Sequence, residues 1–205
     1  MASKYKWLLD PGHGGILHGQ PQTPGKRSPV WPDGSQLFEG EFNRSIVSNL
    51  IELCKNNNID CYNIVNEIKD ISREERINRA NKQFDKDHRC IYLSIHANAG
   101  GGKGWEIYTS KGETQSDKIA SVFFQKFKEE FPQIRMRSDI SDGDPDKEAQ
   151  FDVLVNTKMP AILTENFFMD NYEECKNYLM NEEGRKRIAK AHFDAIMEME
   201  KLNLT

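Results

Sequence analysis

Two histidines and one carboxylate, each standing where an apolar run ends, can hold a metal ion and use it to activate water. His13 lies in Asp10-Pro11-Gly12-His13-Gly14-Gly15, directly after a run that ends at Leu9. His96 opens His96-Ala97-Asn98 after the apolar run 90–95, and Glu165 opens Glu165-Asn166 after the run 160–163 and Thr164. Glu39 and Glu41 stand just ahead of a helical pattern and could bring a carboxylate to the same place. Zinc takes imidazole nitrogen and carboxylate oxygen at about 2.0–2.2 Å, and a catalytic site leaves one position open. Water in that position ionises near neutral pH. A second carboxylate that is not a ligand can carry its proton to a leaving group. The glycines beside His13 suit a tight turn that brings backbone close to the ion. Residue types and spacing alone leave this set as one candidate among several.

These residues must be positioned by elements far apart in the chain. Short runs rich in β-branched and aromatic residues, bounded by Gly, Pro or Asn, predict strands over 5–9, 59–65, 90–95, 104–109 and 160–163. Helical spacing of Phe42, Ile46, Leu50 and Cys54 predicts a helix over 41–56, stopped by Asn56-Asn57-Asn58. Ser72 with Glu75 reads as a capping box ahead of Ile77, Ala80 and Phe84. Ile119, Phe123, Phe127 and Phe131 form a stripe ended by Pro132. A last helix carries Ile188, Ala191, Ala195 and Met199, and a short one is expected near Asp170 through Tyr178 and Leu179. Alternating strands and helices predict a single α/β domain with a mostly parallel central sheet flanked by helices on both faces. In such a sheet the carboxyl ends of the strands share one edge, and sites form beyond it. His13, His96 and Glu165 can therefore converge there.

The 205 residues hold 28 Lys+Arg and 32 Asp+Glu, a net charge of −4, so no basic field exists to collect nucleic-acid phosphates. No stretch approaches the roughly 18 apolar residues of a membrane span. The start of the chain has no apolar core of a secretory leader. Cys54, Cys61, Cys90 and Cys175 have no metal-type spacing and read as reduced thiols. Residues 18–38, with four prolines and Trp31, form a long irregular insert of the kind that serves as a lid or wall. A second irregular segment, 136–150, is acidic. Its Asp142-Gly143-Asp144-Pro145-Asp146 fails as an EF-hand, because Lys147 and Val153 occupy the positions that need Gly and Glu. Of the remaining histidines, His192 reads as packed, His88 as solvated, and His18 as a surface residue with a smaller prospect of meeting substrate. Arg76 and Arg79 read as surface or cap contacts, and Asn98 as a residue that could orient a ligand.

LLDPGHGG, Glu39 with Asn43 four residues on, SIHANA and PAILTENFF occur in this order over most of the chain. Together they resemble the zinc-dependent N-acetylmuramoyl-L-alanine amidases of bacterial and phage cell-wall lysis. The resemblance implies zinc as cofactor, His13, Glu39 and His96 as its ligands, and Glu165 as the catalytic carboxylate. Glu39 is favoured over Glu41 because only Glu39 has the asparagine at the family's spacing. The implied substrate is peptidoglycan: the amide between the lactyl group of N-acetylmuramic acid and the L-alanine of the stem peptide. A zinc peptidase cutting another wall amide and a non-catalytic wall-binding module are the alternatives. Two departures stand out. Twenty-five residues separate His13 from Glu39, more than is usual, and a surface loop with a partly buried Trp31 is expected there, with stacking on substrate as the alternative. Many members carry Gly soon after the catalytic Glu, where this chain has Asn166-Phe167-Phe168. The leaderless start resembles a phage endolysin, made in the cytoplasm and acting on the wall. An exported enzyme that has lost its leader is the alternative. A monomer without membrane insertion or a separate wall-binding domain is expected.

Overall fold

The computed structural model describes residues 2–204; of the span Met1–Trp7 that carries the leader reading, Met1 lies outside them. Six strands form the central sheet in the order β4-β1-β5-β8-β6-β7. They are β1 (Lys6–Pro11), β4 (Asp60–Asn63), β5 (Cys90–Asn98), β6 (Glu106–Thr109), β7 (Lys147–Glu148) and β8 (Ala161–Phe168). The four strands β4, β1, β5 and β8 run parallel, and β6 runs antiparallel to β8. The period of two along each strand splits the core. Trp7, Leu9, Ile91, Leu93 and Ile95 point to one face, while Leu8, Cys90 and Tyr92 point to the other.

Three long helices cover the first face: α1 (Glu39–Asn56), α3 (Gln115–Glu130) and α6 (Glu182–Met199). The Phe stripe of α3 packs there, with Trp105 stacked on Phe127 at 4.2 Å between ring centroids. The second face carries only α2 (Arg73–Phe84) and the single turn α4 (Asp152–Val155). Helices thus lie on both faces, but the second is thinly covered, and a cleft remains at its carboxyl edge. A last turn, α5 (Tyr172–Glu174), widens into a π-helical turn over Cys175–Leu179.

Several local features differ from the sequence reading. Helix α1 begins at Glu39, so Glu39 and Glu41 are its first and third residues rather than its prelude. Ser72 does accept from the Glu75 amide (3.2 Å), but the Glu75 side chain turns to Arg79 (2.8 Å). The reciprocal capping box occurs instead at Thr114 and Asp117 of α3. A hairpin straddles the start of the insert, β2 (Ile16–Leu17) with β3 (Gln20–Pro21), and its two-residue turn places His18 and Gly19 at positive φ. All four cysteines are unpaired thiols. Among the described residues no helix is long and apolar enough to cross a membrane.

Candidate metal centre

At the carboxyl edge of the sheet, β1 extends through Asp10 and Pro11 before the chain turns at Gly12-His13. The Gly12 amide still donates to Ile95 O (3.1 Å). A Cβ on Gly12 would lie 2.1 Å from Cε1 of His96, so only glycine lets this backbone pass the imidazole. His13 then adopts φ 61°, a conformation that costs a non-glycine residue about 1–3 kcal/mol. Its carbonyl is held from two sides, by Arg44 Nη1 (2.7 Å) and Arg76 Nη2 (3.2 Å).

Glu39 enters from the first turn of α1. That turn packs so closely on the His13 loop that a Cβ on Gly40 would lie 1.9 Å from Gly14 O. One helical turn further, buried Asn43 donates from Nδ2 to Gly12 O (3.0 Å). This explains the spacing of Glu39 and Asn43: one residue reaches the centre while the other pins the glycine turn beneath it. Glu39 is 2% exposed, and its Oε1 lies 3.3 Å from His13 Nε2 and 3.0 Å from His96 Nδ1. Burial opposes the charge of Glu39, but the His13 and His96 imidazoles outweigh it and hold the carboxyl well below its usual range. The donor atoms of all three side chains lie within 4.8 Å of one another. Ligand atoms about 2.0–2.1 Å from one tetrahedral ion stand about 3.4 Å apart, which the two Glu39 distances match. Two imidazoles and one carboxylate therefore fit a divalent cation in donor type and in spacing. Glu41 points elsewhere and forks onto Arg185 at 2.8 and 2.9 Å.

Glu165 pairs in register with His96 across β5 and β8, so both side chains emerge on the cleft side. Its Oε2 is buried without a hydrogen-bond partner. Burial, with Glu39 nearby, pushes its carboxyl up to about 8, against the pull of His96 and Lys26. Asn166 faces away, donating to His96 O (2.9 Å) and accepting from Trp105 Nε1 (3.1 Å). At the next residue the pairing slips by one, and Phe167 takes φ 62°. That is a conformation glycine adopts freely, taken here by a phenylalanine at a bulge. Phe167 is fully buried against the rings of Phe131 (5.2 Å) and Tyr178 (4.8 Å).

The cleft has a volume of about 760 Å³ and contains His13, His96 and Glu165. The sequence misplaces one residue around it, Arg76, and leaves two, Lys26 and Glu106, without a role. Arg76, expected at the surface, is 4% exposed. It pairs with buried Asp10 and donates to Pro11 O (2.9 Å) and Ile71 O (2.9 Å). Asp10 also accepts from Tyr92 (2.6 Å) and Ser94 (3.0 Å). Arg79 is a surface contact as expected, paired with Glu67 and Glu75. Lys26, from the insert, lines the cleft, and its carbonyl accepts from the Glu39 amide (2.9 Å). Glu106, opposite Glu165 on β6, is buried and takes Arg137 (3.0 Å), Lys147 and Asn98 (2.6 Å). Asn98 thus orients Glu106. Trp31 does not line the cleft; it packs edge-on against Tyr172 at 5.2 Å, the surface-loop arrangement. His192 is buried in the core between Ile188 O (2.9 Å) and Thr164 Oγ1 (3.0 Å). His18 and His88 are exposed, away from the cleft.

Residues 8–198 match the family described as N-acetylmuramoyl-L-alanine amidase. An endolysin of Bacillus phage SPP1 is 29% identical over 205 residues, covering 98% of this chain and 67% of that relative. A sporulation-specific N-acetylmuramoyl-L-alanine amidase of Bacillus subtilis is 28% identical over 204 residues, 98% of this chain and 70% of the relative. The same fold occurs in an N-acetylmuramoyl-L-alanine amidase from Clostridium difficile 630, with TM-score 0.76, 23% identity and 98% coverage of both chains. It occurs too in an N-acetylmuramyl-L-alanine amidase from Mycobacterium smegmatis, with TM-score 0.77, 19% identity and coverage of 97% and 98%.

Proposed function

The chain belongs to the N-acetylmuramoyl-L-alanine amidase family, and from that premise we propose that it cleaves the lactyl–L-alanine amide of peptidoglycan with zinc held by His13, Glu39 and His96 and with Glu165 as proton carrier. The observation that carries this reading is the pairing of a three-donor cluster with an unpartnered carboxylate one strand away. An N,N,O donor set favours zinc among the common divalent cations. Bound there, zinc would supply Lewis acidity toward a water and toward a carbonyl oxygen.

Every other step falls to this chain's side chains. Glu39 and the two imidazoles hold the reacting centre at the cleft floor. The free Oε2 of Glu165 takes the proton from the attacking water as its oxygen bonds to the lactyl carbonyl carbon. Held at Glu165, the proton then passes to the L-alanine nitrogen as the C–N bond breaks. Burial favours the protonated carboxyl, which helps Glu165 to hold a transferred proton. The positive charge of Lys26 favours return to the ionised form. Asp10 and Arg76 keep the His13 turn in place but touch no reacting atom. We take residues 1–205 to work as one catalytic domain and as a monomer, acting on the bacterial wall in the manner of a phage endolysin.

Mass spectrometry of a defined muramyl-peptide tests this. The expected result is a split between the lactyl carbonyl and L-alanine, lost in Glu165→Gln and after chelation. A cut at another amide would retain the metal hydrolase and overturn the substrate. No cut by the zinc-loaded protein would point to a binding module.

A further inference from the structure

We propose that Asp117, Asp144 and Asp146 form a second cation site, remote from the histidine centre, that takes calcium. Asp117 lies in the first turn of α3, while Asp144 and Asp146 lie on the acidic segment just before β7. One carboxylate oxygen from each falls within 4.8 Å of the others. Oxygens about 2.4 Å from one calcium ion can stand no more than about 4.8 Å apart, a limit that all three pairs meet.

A cluster of acids alone would be no more than a surface feature. Asp146, however, is 2% exposed. One of its oxygens accepts from Thr109 Oγ1 (2.5 Å), and the other, Oδ1, is buried with no partner. Asp144 Oδ1 is likewise buried and unpartnered. A buried carboxylate oxygen without a donor is costly, and two set against each other need a shared counter-charge. Carboxylates and a threonine hydroxyl offer only hard oxygen donors, which suit calcium or magnesium rather than zinc. A site that joins a helix start to an irregular segment suits the flexible coordination of calcium better than the near-ideal octahedron that magnesium demands. The EF-hand pattern fails here for a clear reason: the third carboxylate comes from a helix start 27 positions before Asp144, not from position twelve of one loop.

Occupancy would tie the acidic segment to α3. The chain runs on from there through β7 to Gln150, Phe151 and Asp152, which line the catalytic cleft. An ion at the aspartates therefore fixes the approach to one cleft wall.

The test uses the full zinc-loaded chain, stripped of calcium and titrated with calcium chloride by calorimetry and thermal unfolding. One equivalent should bind, and calcium at about 100 times its Kd should raise Tm by roughly 5–10 °C. Asp144→Asn and Asp146→Asn should each weaken binding more than 10-fold, whereas His13→Ala should leave it intact, and magnesium should bind more weakly. Absence of heat and of a Tm rise in the unsubstituted chain would overturn the proposal without need of any variant. So would binding that survives in both aspartate variants or is lost in His13→Ala. A calcium-insensitive chain whose Tm rises on Asp144→Asn would show a proton, not a cation, between the two carboxylates.

Discussion

Replacing Arg76 by Met should destabilise the protein strongly and loosen its grip on zinc, and adding Asp10→Asn should repair only the first defect. Arg76 and Asp10 are 4% and 1% exposed and pair with each other, while exposed Asp70 stands 3.5 Å from Arg76 as an outer carboxylate. Removing one partner of a buried pair costs about 3–5 kcal/mol, because a bare charge stays behind. For a chain of this size that lowers Tm by about 6–20 °C. In Asp10→Asn/Arg76→Met the stranded charge is gone, and Tyr92 and Ser94 can still donate to the Asn oxygen. Most of the stability should return. Zinc affinity should not, since Arg76 also holds Pro11 O and His13 O while His13 sits at φ 61°. Supports of this kind typically account for about 10–100-fold in metal affinity. Urea unfolding and zinc competition titrations on the two single variants and the double variant read both effects. A cost below about 1 kcal/mol for Arg76→Met, or a double variant as unstable as the sum of the singles, would refute the reasoning.

Gly12→Ala should leave the fold intact but weaken zinc binding at least about 10-fold in the same titration, because its Cβ would fall 2.1 Å from the His96 ring. His192 is held neutral, with burial pulling it from 6.5 to about 4. The unfolded chain therefore binds a proton more readily than the folded one, and stability present above about pH 6.5 is lost as pH falls toward 4, by about 3 kcal/mol. His192→Gln should flatten that slope in urea unfolding at pH 7 and pH 4.5, and an unchanged slope would assign it to other groups. Lys26→Met removes a positive charge facing Glu165, which favours the protonated carboxyl. The acidic limb of the pH–rate profile should move to higher pH, and an unmoved limb would take Lys26 out of the site's electrostatics.

Much of this site could be read in the chain because its donors stand at points where patterns change. His13, His96 and Glu165 each follow an apolar run, and a parallel sheet gathers such ends at one edge. The spacing of Glu39 and Asn43 is legible because one helical turn separates the residue at the centre from the residue beneath it. Arg76 was not legible. An arginine near a helix start looks like a surface contact, and only the fold brings Asp10, 66 positions away, against it. Lys26 was hidden for a related reason: in an irregular insert the aromatic Trp31 draws attention, yet the backbone bond to Glu39 turns Lys26 toward the cleft. Strand β7 and helix α4 are too short to impose a period. Phe167 is a further case: nothing in Asn166-Phe167-Phe168 announces the positive φ that it takes at the bulge.

The most direct test of the account is an anomalous-scattering map of zinc-loaded crystals, collected on both sides of the zinc edge. The account predicts a single strong peak within about 2.0–2.2 Å of His13 Nε2, Glu39 Oε1 and His96 Nδ1, with Glu165 outside ligand distance. A peak that takes Glu165 or Glu41 as ligand in place of Glu39, or no peak at these three residues, would contradict it.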